Sequence, residues 1–273
     1  MNEPKRILSL GVGVQSSTLL LMSVQGTLPK LDAAIFADPG WASKATYAYL
    51  EYLKPISEAA GIPIIVTQTT NIREDTLAGE MRGKKWIDMP LFTKAPDGSI
   101  GMIRRQCTKQ YKLRPVRRAV RTFIGKANAA ELWIGVSYDE IHRMSHPDVQ
   151  WLSHRFPLIH DLSINQPGRL YPVGFTRSDC IGWLNAYGYQ IPPKSACVAC
   201  PFHSDVQWME MKRTYPDEFA DACNFDVSVR HLGGSRGDLY VHSSCVPLSE
   251  VVFKVGSGGM GLAAEECQGM CGN

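Results

Sequence analysis

The chain has 273 residues, of which 44% are hydrophobic, and its 29 basic and 26 acidic residues leave a net charge of +3. A chain of this length and apolar content can form one large domain, or one domain with an appendage. Its net charge is close to zero and therefore indicates no particular class of binding partner. No apolar run approaches the ~20 residues of a membrane-spanning helix, and residues 1–6 leave no room for a signal peptide, so we expect a cytoplasmic protein with no membrane partner.

The first predicted elements are a strand, a glycine loop and a helix. Residues 7–10 form an apolar run, and Gly11 and Gly13 permit a tight loop. Residues 16–18 can cap a helix, whose buried side begins with residues 19–22. Because a strand that leads through such a loop into a helix N-terminus leaves several backbone amides aimed at one point, this stretch predicts a phosphate site.

Two further units extend this pattern. Residues 33–37 predict a second strand that ends at Asp38, residues 44–60 an amphipathic helix, and residues 62–66 a third strand. The β-α-β-α-β order with apolar strands indicates an α/β fold of the Rossmann-like type, with a parallel sheet covered by helices on both faces. Ligands of such sheets lie at the carboxyl ends of the strands, so we expect Asp38 and the glycine loop to face one site.

The second half of the chain is less regular. Residues 79–101 predict a long loop, and residues 132–136 a fourth strand. We predict an α/β domain at 1–175 and a helical region at 176–273 that ends in a glycine-rich tail with two cysteines. Further helices are predicted at 115–124, 176–187, 204–214 and 216–223.

Positive charge is concentrated between residues 104 and 126, which include nine Lys or Arg residues, and no acidic residue occurs at 98–130. Four arginines share one side of the predicted helix there: Arg114, Arg117, Arg118 and Arg121. Such a cluster is typical of a site for nucleotide phosphates, sulfate or a nucleic-acid backbone. The alternative is a solvated helix face whose acidic partners come from other segments.

In a reducing compartment the eight cysteines are expected to be thiols, metal ligands or catalytic groups. Cys197 and Cys200 have the spacing of a metal knuckle, Cys107 lies among basic residues that favour its thiolate, and Cys267 and Cys271 form a second pair. Three interpretations remain open. The first is a [4Fe–4S] cluster on Cys107, Cys197 and Cys200, with its fourth iron open or bound by the tail. The others are a structural zinc site on the two pairs and unligated redox thiols.

In this order the motifs resemble the phosphoadenosine-phosphosulfate (PAPS) reductase-like branch of the adenine-nucleotide alpha-hydrolase (ATP-pyrophosphatase) superfamily. Residues 11–16 stand in the place of the family's Ser-Gly-Gly-x-Asp-Ser phosphate loop, and residues 36–40 match its Asp-Thr-Gly strand end. Residues 107–115 resemble the cysteine, lysine and proline element of the iron–sulfur adenylyl-sulfate reductases. Residues 135–143 resemble the family's anion-binding strand and loop, and the Glu266-Cys267 pair resembles its catalytic tail.

The resemblance implies roles for individual residues. It implies that the nucleotide is held by Gly11, Gly13, Gln15, Ser16, Ser17, Asp38, Gly135 and Arg114. It implies that the metal ligands are Cys107, Cys197, Cys200 and Cys271. It implies that the catalytic residues are Cys267, Lys112 and Arg143.

The family also has sulfur-transfer members in phages and in DNA phosphorothioation systems, which this chain resembles. The three-cysteine set is similar to that of the tRNA thiolation enzymes, which implies ATP-dependent thiolation of tRNA or DNA with sulfur from a cysteine desulfurase or from sulfide. Gln15 replaces the loop aspartate of a typical Mg-ATP pyrophosphatase and resembles the sulfonucleotide reductases. The alternative is therefore reduction of adenylyl sulfate or PAPS to sulfite with a thioredoxin-like reductant. A metal-stapled nucleic-acid-binding module without enzymatic activity is a further alternative.

Overall fold

A computed structural model describes residues 3–81, 84–85, 87–125, 128–162, 174–232 and 237–254. The strands are β1 (Lys5–Ser9), β2 (Ala33–Ala37), β3 (Ile64–Thr67), β4 (Glu80–Met81), β5 (Lys84–Lys85), β6 (Phe92–Lys94), β7 (Ile100–Met102), β8 (Ala130–Ile134), β9 (Leu152–Arg155) and β10 (Asp238–Tyr240). The α-helices are α1 (Val14–Val24), α2 (Lys44–Ala59), α3 (Ile72–Ala78), α4 (Arg114–Ile124), α5 (Pro157–His160), α6 (Arg177–Ala186), α7 (Asp205–Thr214) and α8 (Pro216–Val229). A π-helical turn at Lys109–Leu113 precedes α4, and 3₁₀ turns lie at Tyr138–Arg143 and Leu248–Glu250.

The largest sheet has five parallel strands in the order β3-β2-β1-β8-β9. Ile7 in β1 lies opposite Ala33 on one side and Leu132 on the other. The chain therefore runs outward from β1 through β2 to β3 and then returns to β8 on the opposite side of β1. The carboxyl ends of β1 and β8 meet where the direction of winding reverses, which is where open α/β sheets bind their ligands.

Both faces of this sheet are covered, because alternate strand residues belong to different cores. Leu8 and Phe36 pack with buried residues of α1, α2, α5 and α6, whereas Ile7 and Ile35 pack with Val120 and its neighbours in α4. The predicted α/β fold with a parallel sheet and helices on both faces is thus confirmed. The predicted second strand has the observed bounds. The predicted third strand, 62–66, begins two residues before β3 and ends one residue before it.

A third core lies beside the carboxyl ends of β2 and β3. It joins Trp41 and Ile72, which follow these strands, to Tyr111 and to Trp208 and Phe225 of the C-terminal helices. The segment predicted as a long loop contains short strands: β6 pairs with β7 and with β10 in an antiparallel sheet. The prediction missed these strands because three residues are too few to show an alternation of apolar and polar side chains. In addition, β10 is distant in sequence from β6, with which it pairs.

Helix α2 links the large sheet to the C-terminal helices. Its first turn is capped by Ser43, whose side chain accepts a hydrogen bond from the Thr46 amide. The buried Glu218 of α8 accepts a second hydrogen bond, from the Lys44 amide at 2.6 Å. Among the helices of the described ranges, none combines the length and the apolar character that spanning a bilayer demands.

Candidate functional site

The predicted phosphate loop connects β1 to α1 in a closed turn. The amide of Gly11 donates to Ser16 Oγ at 3.2 Å, and the amide of Ser17 donates to the Gly13 carbonyl at 3.0 Å. Val12 between the glycines has φ +58° and is buried, a conformation that costs a residue with a Cβ about 1 to 2 kcal/mol. A strained residue held in place by its surroundings is typical of a loop whose shape has a function.

Gln15 ties this loop to the turn that follows β8. It is fully buried, and its Nε2 donates to Ser137 Oγ at 3.3 Å and to Glu140 Oε2 at 3.1 Å. The other oxygen of Glu140 accepts from Arg143 Nη1 at 2.8 Å, and the Arg143 side chain is only 4% exposed. Gln15 and Arg143, predicted to hold phosphate and to balance charge, thus form a buried chain with Glu140 across the point where the sheet reverses.

Gly135, also predicted to bind the nucleotide, lies against the backbone of the phosphate loop. A Cβ atom there would lie 2.7 Å from the Ser16 amide nitrogen and 3.1 Å from the Gln15 carbonyl carbon. Real Cβ atoms do not approach backbone this closely, so only glycine lets the end of β8 pack on the first turn of α1.

Gly135→Ala is expected to destabilise the protein by about 1 to 3 kcal/mol, because the added methyl group must push the backbone of the loop away. Urea unfolding measures this change, and nucleotide titration is expected to show weaker binding. The matched control is Gly182→Ala in α6, where a Cβ would meet no atom within 4 Å. If both variants are as stable as the parent, the close packing at Gly135 does not constrain the loop.

Asp38 follows β2 and lies half-buried beside the loop. Its Oδ1 accepts hydrogen bonds from the Gly40 amide and from the Tyr47 hydroxyl, both at 2.7 Å. Burial and the Asp38 carboxylate both raise the pKa of Tyr47 well above its ordinary value, so its hydroxyl stays a donor at neutral pH. The sequence did not single out Tyr47, whose position on the apolar side of α2 indicated only core packing.

The metal-type knuckle lies against the segment after β2. Cys197 forms an antiparallel bridge with Ala42, and the Cys200 amide donates to the Cys197 carbonyl at 3.2 Å. His203 Nε2 lies 3.0 Å from the same carbonyl oxygen. Burial lowers the pKa of His203 to about 4, so its ring is neutral at neutral pH. The bridge to Ala42 holds Cys197 next to the carboxyl end of the sheet.

Three of the predicted metal ligands share one pocket, although Cys107 is distant in sequence from the knuckle. The pocket contains Cys107, Cys197 and Cys200, and its other walls are Pro39, Ile72, Met89, Pro90, Arg105, Tyr111, Lys112, Pro201 and Phe202. A second pocket, at the carboxyl ends of β1 and β2, is lined by Ser9, Leu10, Gly11, Phe36, Ala37, Pro39, Ala42, Lys112, Val116, Ser195, Ala196 and Cys197. The two pockets therefore have Pro39, Lys112 and Cys197 in common. We call them the thiol pocket and the strand-end pocket.

The donors of the thiol pocket are three cysteine thiols, which are soft ligands. No set of three His, Cys, Asp or Glu side chains in the described ranges is close enough to hold one ion. An iron–sulfur cluster binds its thiolates at separate iron atoms, which fits three cysteines arranged around a pocket. Cys267 and Cys271 lie outside the described residues, as does any site that includes them.

The basic side of α4 is partly engaged within the protein. Arg117 pairs with Asp148 at 2.7 Å, and the Arg121 guanidinium lies 4.9 Å from the centre of the Trp151 ring. Arg114 and Arg118 are exposed. Acidic partners from another segment thus neutralise part of the cluster, while the two exposed arginines keep their charge at the surface.

No family model and no curated protein matches the chain. One similar solved structure is the PAPS reductase from Candida auris in a phosphate complex, 10% identical over 70% of this chain and 76% of that chain, with a TM-score of 0.41. Another is the U34-tRNA thiolase NcsA from Methanococcus maripaludis with its [4Fe–4S] cluster, 13% identical over 91% of this chain and 80% of that chain, also with a TM-score of 0.41. They are the two kinds of protein that the sequence motifs resemble, and at this similarity neither assigns an activity to the chain.

Proposed function

We propose that the protein is an enzyme that uses an adenine nucleotide to transfer sulfur and that its cofactor is a [4Fe–4S] cluster. The observation that carries this proposal is the wall shared by the two pockets, to which Lys112 and Cys197 both belong. A nucleotide with its phosphates at the loop after β1 would have its reacting end next to the cysteine thiols. The Lys112 ammonium at this boundary favours both a bound phosphate and a nearby thiolate.

The nucleotide would be bound mainly by backbone groups of the loop. The turn through Gly11 and Gly13 would present backbone amides at the N-terminus of α1, which would donate hydrogen bonds to phosphate oxygens, and Asp38 would contact the ribose or a Mg²⁺ ion. Arg114 would add positive charge, and Arg143 would act on the site through Glu140. The remaining residues predicted to bind the nucleotide support the loop from within: Gln15, Ser16, Ser17 and Gly135.

The cluster would be held by Cys107, Cys197 and Cys200, and it would supply an iron position that can carry sulfur. Cys271 is the candidate for a fourth ligand. The alternative metal is zinc on Cys197, Cys200, Cys267 and Cys271. Metal and sulfide analysis of anaerobically purified protein distinguishes the two, since only the cluster contains inorganic sulfide.

The acceptor we favour is a nucleic acid, tRNA or DNA, because Arg114 and Arg118 on α4 are exposed and can contact a phosphate backbone. ATP would adenylate an acceptor oxygen with release of pyrophosphate, and sulfide would then displace AMP, which carries away the acceptor oxygen. Sulfur supplied as a persulfide by a cysteine desulfurase would first be reduced to sulfide by a dithiol, which becomes a disulfide. ATP turnover that requires nucleic acid, together with incorporation of labelled sulfur, tests this activity. Turnover with no incorporation would overturn it.

The second candidate is a sulfonucleotide reductase, and the observation in its favour is Gln15. A glutamine at position 15 leaves the loop without an acid of its own for a magnesium ion, and its Nε2 engages the Glu140 carboxylate at 3.1 Å. Cys267 would attack the sulfur of adenylyl sulfate or PAPS, and a thioredoxin-like reductant would release sulfite. Sulfite release that is lost in Cys267→Ser supports this activity. If neither nucleotide binds, both candidates fail and a metal-stapled nucleic-acid-binding module remains.

Lys112→Ala is expected to weaken nucleotide binding by about 10- to 150-fold, since a charge-assisted hydrogen bond to phosphate contributes about 1.5 to 3 kcal/mol. Isothermal titration with ATP and with adenylyl sulfate measures the change for each nucleotide. Lys109→Ala is the matched control, because Lys109 is exposed in the same π-helical turn and lines neither pocket. Equal losses in both variants would mean that only the general charge of this segment matters.

A further inference from the structure

A serine, a histidine and an aspartate form a hydrogen-bonded series away from both pockets. Ser244 Oγ lies 2.8 Å from His242 Nδ1, and His242 Nε2 lies 3.1 Å from Asp205 Oδ1. Asp205 is 37 residues from His242, so the contact joins the start of α7 to the turn after β10. The His242 ring is buried, whereas Ser244 is exposed. The series therefore opens to solvent at its serine end.

The partners of His242 determine which ring nitrogen carries the proton. Asp205 can only accept, because hydrogen bonds from the Lys254 amide and from His242 hold its pKa below the ordinary value. His242 Nε2 is therefore the protonated nitrogen. The Ser244 amide donates to Nδ1 at 3.2 Å, which is consistent with a lone pair there. The Ser244 hydroxyl thus faces a basic nitrogen whose ring is oriented from behind by a carboxylate.

The backbone holds Ser244 in this position. The Cys245 amide donates to the His242 carbonyl at 3.0 Å, which closes a tight turn. Cys245 has φ +51°, an uncommon conformation for a residue other than glycine. This conformation keeps the turn tight and holds Ser244 beside the His242 ring.

An apolar ring borders the same site. The Phe253 ring lies against the His242 ring in a near-perpendicular arrangement, at a centroid distance of 5.9 Å. Phe253 is only partly buried, so its ring can contact an apolar group of a molecule bound at Ser244.

We propose that Ser244 is the nucleophile of a second reactive site, with His242 as its general base and Asp205 as the positioning residue, and that its substrates are carboxylic esters with apolar acyl groups. Ser244 Oγ attacks the ester carbonyl carbon as its proton moves to His242 Nδ1. The ester C–O bond breaks, and the leaving alcohol takes that proton. Water then hydrolyses the acyl-serine in the same way, which releases the acid and restores Ser244. Relative to serine proteases, the two ring nitrogens exchange their partners.

The test is covalent labelling of the full-length protein with a fluorophosphonate probe, followed by mass-spectrometric mapping of the labelled residue. Labelling at Ser244 is expected, with loss of the label in Ser244→Ala and no change in Ser243→Ala, which alters the adjacent exposed serine. His242→Gln is expected to slow labelling about 100-fold, the contribution of a general base. Turnover of p-nitrophenyl butyrate is expected to fall in the same variants.

Two outcomes would overturn the proposal. One is labelling of Ser244 no faster than that of Ser243 in the parent protein, which would leave the series as a hydrogen-bonded turn only. The other is an unchanged labelling rate in His242→Gln variants whose unfolding transition matches that of the parent. Because the measurement needs neither nucleotide nor cluster, its result is independent of the proposed sulfur transfer.

Discussion

Replacing Cys197 by serine is expected to abolish the bound iron and sulfide, the visible absorbance of the cluster and the sulfur-transfer activity. Among the proposed ligands within the described residues, Cys197 alone lines both the thiol pocket and the strand-end pocket. Its thiolate would bind an iron atom directly, and a serine hydroxyl is a poor substitute for this soft ligand. The backbone bridge between residue 197 and Ala42 needs no side chain, so the variant is expected to fold.

The measurement is iron and sulfide content, with the visible spectrum, after anaerobic purification. Cys107→Ser and Cys200→Ser are expected to give the same loss, because both thiols line the thiol pocket. Cys223→Ser is the matched control: Cys223 is a half-buried cysteine of α8 outside both pockets. A colourless parent protein that contains zinc, or one that contains no metal, would contradict the cluster, and the second outcome would favour redox thiols.

The second large effect is expected from Gln15→Glu, which would place a buried carboxylate about 3 Å from that of Glu140. The expected loss of stability is about 3 to 5 kcal/mol at neutral pH, the usual cost of an uncompensated buried charge. The repulsion raises the folded-state pKa of the new carboxyl group. The loss should therefore grow as pH rises above the ordinary pKa of glutamate and disappear at lower pH, where the group is protonated in both states.

Adding Glu140→Gln to this variant is expected to recover part of the lost stability. The exchanged pair restores one amide and one carboxylate in the same space, although Arg143 then loses its direct carboxylate partner. Urea unfolding of the parent, the two single variants and the double variant gives the coupling energy. Gln150→Glu in the exposed turn before β9 is the control and is expected to change stability by less than about 0.5 kcal/mol. Additive single effects would mean that Gln15 and Glu140 do not interact.

Much of the sheet could be predicted from the sequence because its strands are short apolar runs buried on both faces. The bounds of β2 and the start of α2 follow from residues that lie within those elements, and each element carries its own pattern of burial. The antiparallel sheet of β6, β7 and β10 could not be predicted in this way. Its strands have three residues each, and β6 and β10 pair across much of the chain.

In the candidate site, too, local features could be predicted from the sequence and long-range contacts could not. The sequence by itself determined the glycine loop, Asp38 at the end of a strand and the spacing of Cys197 and Cys200, because each is a local pattern within a few residues. The sequence offered Cys107 as a third ligand only among alternatives. Its position in one pocket with that pair, and the position of Lys112 in the wall between two pockets, were decided by the tertiary structure.

The contacts of the buried side chains were also decided only by the tertiary structure. Gln15 and Glu140 are 125 residues apart, and Asp205 and His242 are 37 apart. The residues next to a given position indicate whether it is buried, because apolar residues recur with the period of the helix or strand that contains them. Which distant group it then meets depends on how whole elements pack, and that is set by the sum of contacts over the entire fold.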